Sequence, residues 1–254
     1  MSIQTRTENG VAHIAIARPE KKNALSGAMY GELAQAFRAA EADEDVRAIL
    51  LHGDRSIFTS GNDIQDFAQR SDISAGASPA KAFMVALTGA AKPVVAAVNG
   101  AAIGIGTTLL LHCDLIYLAD DAVLKMPFVN LGLCPEFGSS LVLPAVAGHA
   151  RAAEKLLLGE AIAPDEAVAM GIATRVLPAD EVLAFARAQA ERLAKLPPQA
   201  VQTSKRLMRA PGAPALAAHI EVELKAFQER LGSAEAKEAF AAFLERRAPD
   251  FSKT

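Results

Sequence analysis

The chain contains 254 residues, of which 51% are hydrophobic, so it can bury a sizeable core in one domain or in one domain with a small appendage. The formal net charge is −3 and no long run of one charge occurs, which argues against a nucleic-acid surface. The two cysteines, Cys113 and Cys134, lie in apolar stretches and are expected to be reduced core residues. The five histidines show no metal-binding spacing, so no metal is expected. No apolar leader, membrane span or peroxisomal C-terminal tripeptide is visible, which predicts a cytoplasmic protein without membrane contacts.

Apolar patterning predicts strands that alternate with helices up to about residue 177. An alternating run at residues 11–17 is typical of a strand, and Ser26 is placed to cap a helix that runs to residue 43. Further strands are predicted at residues 48–52, 94–98, 114–119, 123–126 and 172–177, and further helices at residues 80–90, 138–147 and 151–158. This alternation predicts an α/β protein with parallel strands and outer helices.

The last quarter of the chain differs from the part before it. From about residue 180 the apolar period is helical nearly to the end, with proline breaks at residues 197–198 and 211–214. We therefore predict a core of residues 1–197 and a C-terminal helical subdomain of residues 198–254. The apolar side chains of this tail must be buried on the core or on another subunit: Phe227, Leu231, Phe240, Phe243 and Leu244.

The stretch KPVVAAVNGAAIGIGTTLLLHCD, residues 92–114, is the one around which the chain is organised. Its β-branched and alanine run at residues 94–98 predicts a strand buried on both faces. Gly104 and Gly106 allow a tight turn, and a helical pattern begins at Thr107. Because the first N–H groups of a helix lack internal partners, this turn is a candidate site for an anion or for an oxygen that becomes one.

Three other interpretations of that stretch compete with an anion site. A membrane helix is argued against by Asn99 and the glycines. A dinucleotide-binding GxGxxG pattern is argued against because Leu109 stands where the third glycine would be. A tight crossover that serves packing alone remains an alternative. The segment Phe58-Thr59-Ser60-Gly61-Asn62-Asp63 repeats the order of strand, glycine turn and helix start.

Taken together, these motifs resemble the crotonase, or enoyl-CoA hydratase/isomerase, superfamily along essentially the whole chain. The fragments that carry the resemblance are Asn23-Ala24-Leu25, the segment at residues 58–63, Val98-Asn99-Gly100-Ala101-Ala102-Ile103-Gly104, Cys113-Asp114, and an LxxGxxI pattern that ends near Ile162. The resemblance implies a spiral of ββα units with two near-perpendicular sheets and a C-terminal helical part. It also implies acyl-coenzyme A thioester substrates and assembly as a homotrimer or a dimer of trimers.

The resemblance also assigns site residues by position. The backbone N–H groups of Asn62 and Ile105 are implied to form an oxyanion hole for a thioester enolate. Because coenzyme A is part of the substrate, no separate cofactor is expected. The implied substrate-binding residues are Lys22, Ala24, Ser60, Gly61, Asn62, Asp63, Ile64, Gly104, Ile105, Phe128, Leu131 and Pro135. Lys205 and Lys237 are weaker candidates for contacts with the nucleotide phosphates.

The acids favour one branch of the family. Hydratases of the family use two glutamates, and this chain has Thr108 and Phe128 at those positions, neither of which can do general acid/base work near neutral pH. The segment LGLCPEFGSS resembles the Δ3,Δ2-enoyl-CoA isomerase branch and implies Glu136 as a single base for a 1,3-proton shift in fatty acid β-oxidation. Burial near Phe128 and Phe137 should raise the pKa of Glu136. Hydration or another crotonase chemistry, and acyl-CoA binding without catalysis, remain alternatives, as does a surface Glu136 that only caps a helix.

Other polar residues have smaller expected roles. Asp63 is expected to cap a helix rather than to act as an acid, and Asp114 is expected to be structural. Asp66 and Asp72 could face the acyl pocket, and residues 71–79 are expected to form a mobile loop beside it. His112 is expected to be buried or at an interface, with no role assigned.

Overall fold

The computed structural model describes residues 2–64, 66 and 78–254, which form two sheets surrounded by helices. The larger sheet has the strand order β1-β2-β3-β5-β7-β9, and the smaller has the order β4-β6-β8. The strands are β1 (Ile3–Glu8), β2 (Val11–Ile16), β3 (Ala48–His52), β4 (Ile57–Thr59), β5 (Val94–Val98), β6 (Ala101–Ile103), β7 (Leu115–Ala119), β8 (Val123–Lys125) and β9 (Arg175–Leu177). All neighbouring strands run parallel except β1 and β2, which form an antiparallel hairpin.

The helices of the described residues cover the sheets and then form the C-terminal part. They are α1 (Gly27–Ala42), α2 (Pro79–Thr88), α3 (Ile105–Thr108), α4 (Ser139–Ala147), α5 (His149–Leu157), α6 (Pro164–Ala169), α7 (Val182–Ala194), α8 (Pro198–Arg209), α9 (Ala213–Leu231) and α10 (Ala234–Glu245). Ser26 caps α1 as predicted, because its side chain accepts the Met29 N–H at 3.4 Å. No described helix is both long and apolar enough to cross a membrane.

The first hairpin was missed by the sequence interpretation. Strand β1 is mostly exposed, so it lacks the apolar run from which a strand would be predicted. The signal that could have found it is Asn9-Gly10 between β1 and β2, where both residues have positive φ (51° and 76°). That dipeptide is typical of a tight hairpin turn.

The central stretch also differs in detail from its prediction. Strand β5 has the predicted bounds and is fully buried, but Gly100 then leads into a further strand, β6, before the turn at Gly104. The helix begins at Ile105 rather than at Thr107 and lasts one turn, followed by a 3₁₀ turn at Leu109–His112. The glycine turn at Gly104 therefore presents the N–H groups of one helical turn, without the dipole of a long helix behind them.

The C-terminal helices are tied to the core by an ion cluster. Asp114 pairs with Lys205 at 2.7 Å and with Arg209 at 2.8 Å, and it also accepts the Val94 N–H at 2.7 Å. Asp114 is thus structural, as expected. Lys205 is only 4% exposed and also donates to the Lys92 carbonyl, so the expectation that it contacts nucleotide phosphates is wrong. The division at residues 197/198 stays a prediction.

Candidate active site

The first glycine turn follows β4 and is fixed by a short pairing with the residue before α1. The Leu25 N–H donates to the Gly61 carbonyl at 2.8 Å, and the Asp63 N–H donates to the Leu25 carbonyl at 3.0 Å. In such a parallel bridge the residue between the two bonded neighbours directs its own N–H to the opposite side. The Asn62 N–H therefore points away from Leu25.

The loop before Leu25 lies along the same turn. The buried side chain of Asn23 donates to the Ile57 carbonyl at 3.1 Å and accepts the Arg18 N–H at 2.7 Å. The Ser60 N–H donates to the Lys22 carbonyl at 3.1 Å. The structure thus brings the predicted substrate-binding residues Lys22, Ala24, Ser60, Gly61, Asn62 and Asp63 together, and Ile64 packs beside them on the core.

The second glycine turn lies between β6 and α3. Gly104 has φ 57° and ψ −119°, a conformation that L residues rarely adopt, and its N–H donates to the Lys125 carbonyl at 2.8 Å. The first intrahelical bonds run from Thr107 and Thr108 back to the Gly104 carbonyl. Ile105 precedes them, so its N–H has no acceptor within α3.

The two turns touch each other. A Cβ atom placed on Gly61 would lie 2.7 Å from the Ile103 carbonyl oxygen, and one placed on Gly106 would lie 2.5 Å from the Thr59 Cγ2. Neither position has room for a side chain without a shift of its neighbour. The close approach of the two turns brings Asn62 and Ile105 to the same part of the molecule, as the oxyanion-hole prediction requires.

Glu136 lies beside the second turn and is buried. It is 5% exposed, and its Oε1 has no hydrogen-bond partner among the described residues. Burial and then the charge of Glu223 raise the pKa of Glu136 to about 8, against the opposing effect of a hydrogen bond with Thr108. The predicted rise is confirmed, and a surface Glu136 is excluded. The hydrogen bond with Thr108 places the Glu136 carboxyl group beside residue 108.

The remaining predicted substrate-binding residues lie in the segment of residues 128–135, directly before Glu136 in the chain. The Phe128 ring approaches Gly104, since its Cε1 would lie 3.8 Å from a Cβ there, and it packs edge-on to Phe227 of α9 at 6.4 Å between centroids. Leu131 ends a 3₁₀ turn that starts at Val129. Pro135 is partly buried next to Glu136 in the chain.

The smaller expectations have mixed outcomes. Asp63 acts as a cap, since it accepts the Asp66 N–H at 3.4 Å, and it pairs with Arg18 at 2.8 Å. Asp66 accepts the Gly27 N–H at 2.9 Å, so it anchors the start of α1. Asp72 and most of the predicted loop at residues 71–79 lie outside the described residues.

His112 is buried, as expected, at 4% exposure. Its Nε2 lies 2.7 Å from the Phe137 carbonyl oxygen, and its ring stacks on the Phe137 ring at 4.2 Å between centroids. Because a carbonyl can only accept, Nε2 carries the proton. Burial lowers the pKa of His112 to about 4, so the imidazole is neutral near pH 7.

Two contacts of the candidate site were not predicted from the sequence. The Tyr30 hydroxyl donates to the Asn62 side-chain oxygen, and Glu223 of α9 binds the start of α4. Tyr30 was visible only as one residue of the helix α1, and Glu223 only as one of many polar residues in the helical tail. No local pattern in the sequence identifies either contact, because each joins segments far apart in the chain.

The chain belongs to the enoyl-CoA hydratase/isomerase family, whose model matches residues 6–254. It is 34% identical to human enoyl-CoA delta isomerase 2 over 250 residues, which is 95% of this chain and 62% of that protein. The chain thus spans less than two thirds of the length of that relative. A probable enoyl-CoA hydratase of Bacillus subtilis is 33% identical over 254 residues, which cover 98% of both chains.

Solved structures confirm the expected fold. Pseudomonas aeruginosa OdaA is 50% identical, with a TM-score of 0.94 over 96% of this chain and 99% of that one. An enoyl-CoA hydratase/isomerase from Pseudoalteromonas atlantica is 40% identical, with a TM-score of 0.93 over 99% of this chain and 100% of that one. The chain therefore has the crotonase-like α/β fold, with helices after the sheets.

Proposed function

We propose that the chain is a Δ3,Δ2-enoyl-CoA isomerase that acts in fatty acid β-oxidation. The observation that carries the proposal is Glu136, a buried carboxyl group with a free oxygen beside the second glycine turn. The resemblance to the family implies that a hydratase would have acids at positions 108 and 128, where this chain has Thr108 and Phe128. A single base is sufficient for moving a proton between two carbons of one substrate.

In this reaction Glu136 removes the proton from C2 of the 3-enoyl thioester. The electron pair of the broken C–H bond delocalises over the thioester and the double bond to give a dienolate. The N–H groups of Asn62 and Ile105 bind the enolate oxygen, and each such donor contributes about 2.7–4 kcal/mol. Protonated Glu136 then returns the proton to C4, which leaves the double bond between C2 and C3.

The raised pKa of Glu136 suits both halves of this step. A base that must take a proton and give it back works best when its pKa lies near the operating pH. With a pKa of about 8, roughly a tenth of Glu136 is ionised at pH 7. Substrate contacts are proposed for the residues around the two turns, with the backbone at Lys22, Ala24 and Ser60 nearest the coenzyme A portion.

Hydration is the second candidate function, because relatives of both kinds resemble the chain. The two chemistries are separated by supplying a 3-enoyl-CoA and a 2-trans-enoyl-CoA to the same preparation, freed of host hydratase. We expect clear isomerisation of the first and slow or undetectable hydration of the second. Hydration faster than isomerisation would refute the proposal, and tight acyl-CoA binding without either reaction would indicate a non-catalytic binding protein.

The base is tested by Glu136→Gln, which keeps size but removes basicity. We expect kcat to fall by roughly 10²-fold or more, with acyl-CoA binding little changed because the backbone donors remain. Glu221→Gln is the matched control, since Glu221 is exposed on α9 and pairs with Lys81 at the surface. Near-normal isomerisation by Glu136→Gln would exclude Glu136 as the base.

We also propose that the chain assembles as a homotrimer or a dimer of trimers. Phe243 and Leu244 near the end of α10 are 56% and 54% exposed in the single chain, and Leu207 and Met208 of α8 are 66% and 74% exposed. Large apolar side chains that are exposed next to each other in the chain, as in each of these two pairs, are the kind that an interface covers. Sedimentation equilibrium at micromolar concentration should give a multiple of three, and a monomer would contradict the proposal.

A further inference from the structure

Helix α9 of the C-terminal part carries a buried carboxylate to the start of α4. Glu223 is 5% exposed, and its two oxygens accept from three donors of two residues. The Gly138 N–H donates to Oε2. The Ser140 N–H and hydroxyl donate to Oε1 at 2.9 Å and 2.5 Å. Both oxygens thus act as acceptors for donors of this turn.

These donors belong to the turn that carries Glu136. The Ser139 N–H donates back to the Glu136 carbonyl at 3.1 Å, so the turn closes on Glu136 itself. Phe137 has φ +57°, which is costly for a residue with a side chain and needs outside support. His112 holds the carbonyl of Phe137, and Glu223 holds the next N–H along the chain.

Glu223 also contributes charge. Its carboxylate is the second cause, after burial, of the raised pKa of Glu136. Glu223 also acts on Cys134 in the same loop and lies near His219 on its own helix, while Arg230 of that helix acts on Cys134. His219 Nε2 lies 2.8 Å from the Ser140 hydroxyl oxygen and 3.7 Å from Glu223 Oε1. Among the described residues, no cationic group lies as close to the Glu223 carboxyl group as the backbone N–H groups of Gly138 and Ser140 do.

We propose that Glu223 is the positioning residue of the base: from α9 its side chain holds the turn at residues 136–140 and so sets the place of the Glu136 carboxyl group. The C-terminal helices would then position the Glu136 carboxyl group as well as cover the core. The catalytic part of this proposal rests on the isomerase function proposed above. The structural and electrostatic part does not, because it concerns two carboxyl groups of the free protein.

The experiment compares Glu223→Gln with Glu223→Asp and with the exposed control Glu221→Gln. Glutamate labelled with ¹³C at the side-chain carboxyl gives the titration midpoint of Glu136, and Glu136→Gln identifies its signal. We expect Glu223→Gln to lower that midpoint by about one unit, because a like charge is lost. Glu223→Asp keeps the charge but is one methylene too short, so the midpoint should stay raised. Glu221→Gln should leave the midpoint unchanged.

The kinetic readout separates position from charge. Both Glu223 variants should lose at least tenfold in kcat with less than a threefold change in KM, since the turn shifts while the oxyanion donors remain. Folded Glu223→Gln with an unchanged midpoint and unchanged kcat would overturn the proposal. If Glu223→Gln does not fold, the test rests on Glu223→Asp. An unchanged kcat in Glu223→Asp would overturn the positioning role of Glu223. Absence of isomerisation in the wild type would refute the proposed function alone, and the midpoint shift would still test the contact between the two carboxyl groups.

Discussion

The stability of Glu136→Gln relative to the wild type should increase as the pH rises, because the wild type carries an acid that folding keeps protonated. Its pKa is 4.5 in the unfolded chain and about 8 in the folded protein. Between these values the folded state binds more protons than the unfolded state, so the free energy of unfolding falls with rising pH. The contribution of the buried acid is complete below pH 4.5 and is lost as the pH rises through 8.

The magnitude follows from the width of that interval. From pH 4.5 to 7 the loss extends over about 2.5 pH units at about 1.4 kcal/mol each, or roughly 3 kcal/mol. Glutamine does not titrate, so Glu136→Gln is spared this loss. Burial lowers the folded pKa of His13 and His112 to about 4, which removes stability as the pH falls below 6.5. Both histidines are present in both proteins and cancel in the difference.

The assay is urea unfolding of the two proteins at equal concentration from pH 4.5 to 9. The free energy of unfolding of the variant minus that of the wild type should increase by roughly 3 kcal/mol from pH 4.5 to 7 and level off above pH 8. Glu221→Gln should follow the wild type at every pH. A difference that stays constant within about 1 kcal/mol across this range would show that Glu136 is not held protonated.

Three further outcomes are expected. Gly106→Val should abolish turnover in a folded protein, because its side chain meets Thr59 Cγ2. In Gly106→Ala, the added substitution Thr59→Ser removes that Cγ2 and should restore part of the lost activity. An unchanged kcat in Gly106→Val would show that the turn takes no part in the reaction. The kcat/KM for isomerisation should rise about tenfold per pH unit below pH 8 and level off above it, as Glu136 ionises; a profile that falls over this range would exclude a carboxylate base. Asp114→Asn should cost about 3 kcal/mol or more of stability, because Lys205 would lose its buried partner; thermal or urea unfolding measures this, and a loss below 1 kcal/mol would contradict it.

The parts of the fold that the sequence revealed are those where burial imposes a local pattern. Strand β5 is buried on both faces and therefore has a continuous apolar sequence, so its predicted bounds are those of the structure. Helix α1 has a serine cap and a regular apolar face, and its predicted ends agree within a residue. In the smaller sheet, where each strand has three residues, the strand predicted at residues 123–126 covers β8. Strand β6 was missed, because three residues are too few for a period of two to emerge.

The candidate site was predictable where a local sequence marks a turn and not where distant side chains meet. Gly61 and Gly104 mark the two turns in the sequence, since only glycine adopts their backbone conformations easily. Glu223 contacts Gly138 across 85 residues, and Tyr30 contacts Asn62 across 32. These contacts depend on how α9 and α1 pack, and no spacing within a single segment encodes that packing.

The ion cluster at Asp114 has a consequence for fragments of the chain. A cut between residues 197 and 198 would separate Asp114 from Lys205 and Arg209, and it would also remove Glu223 from the turn that carries Glu136. Neither fragment could satisfy its buried charges alone, and each would gain by binding the other. The two pieces, expressed separately, should therefore reassociate without a covalent link and recover activity together.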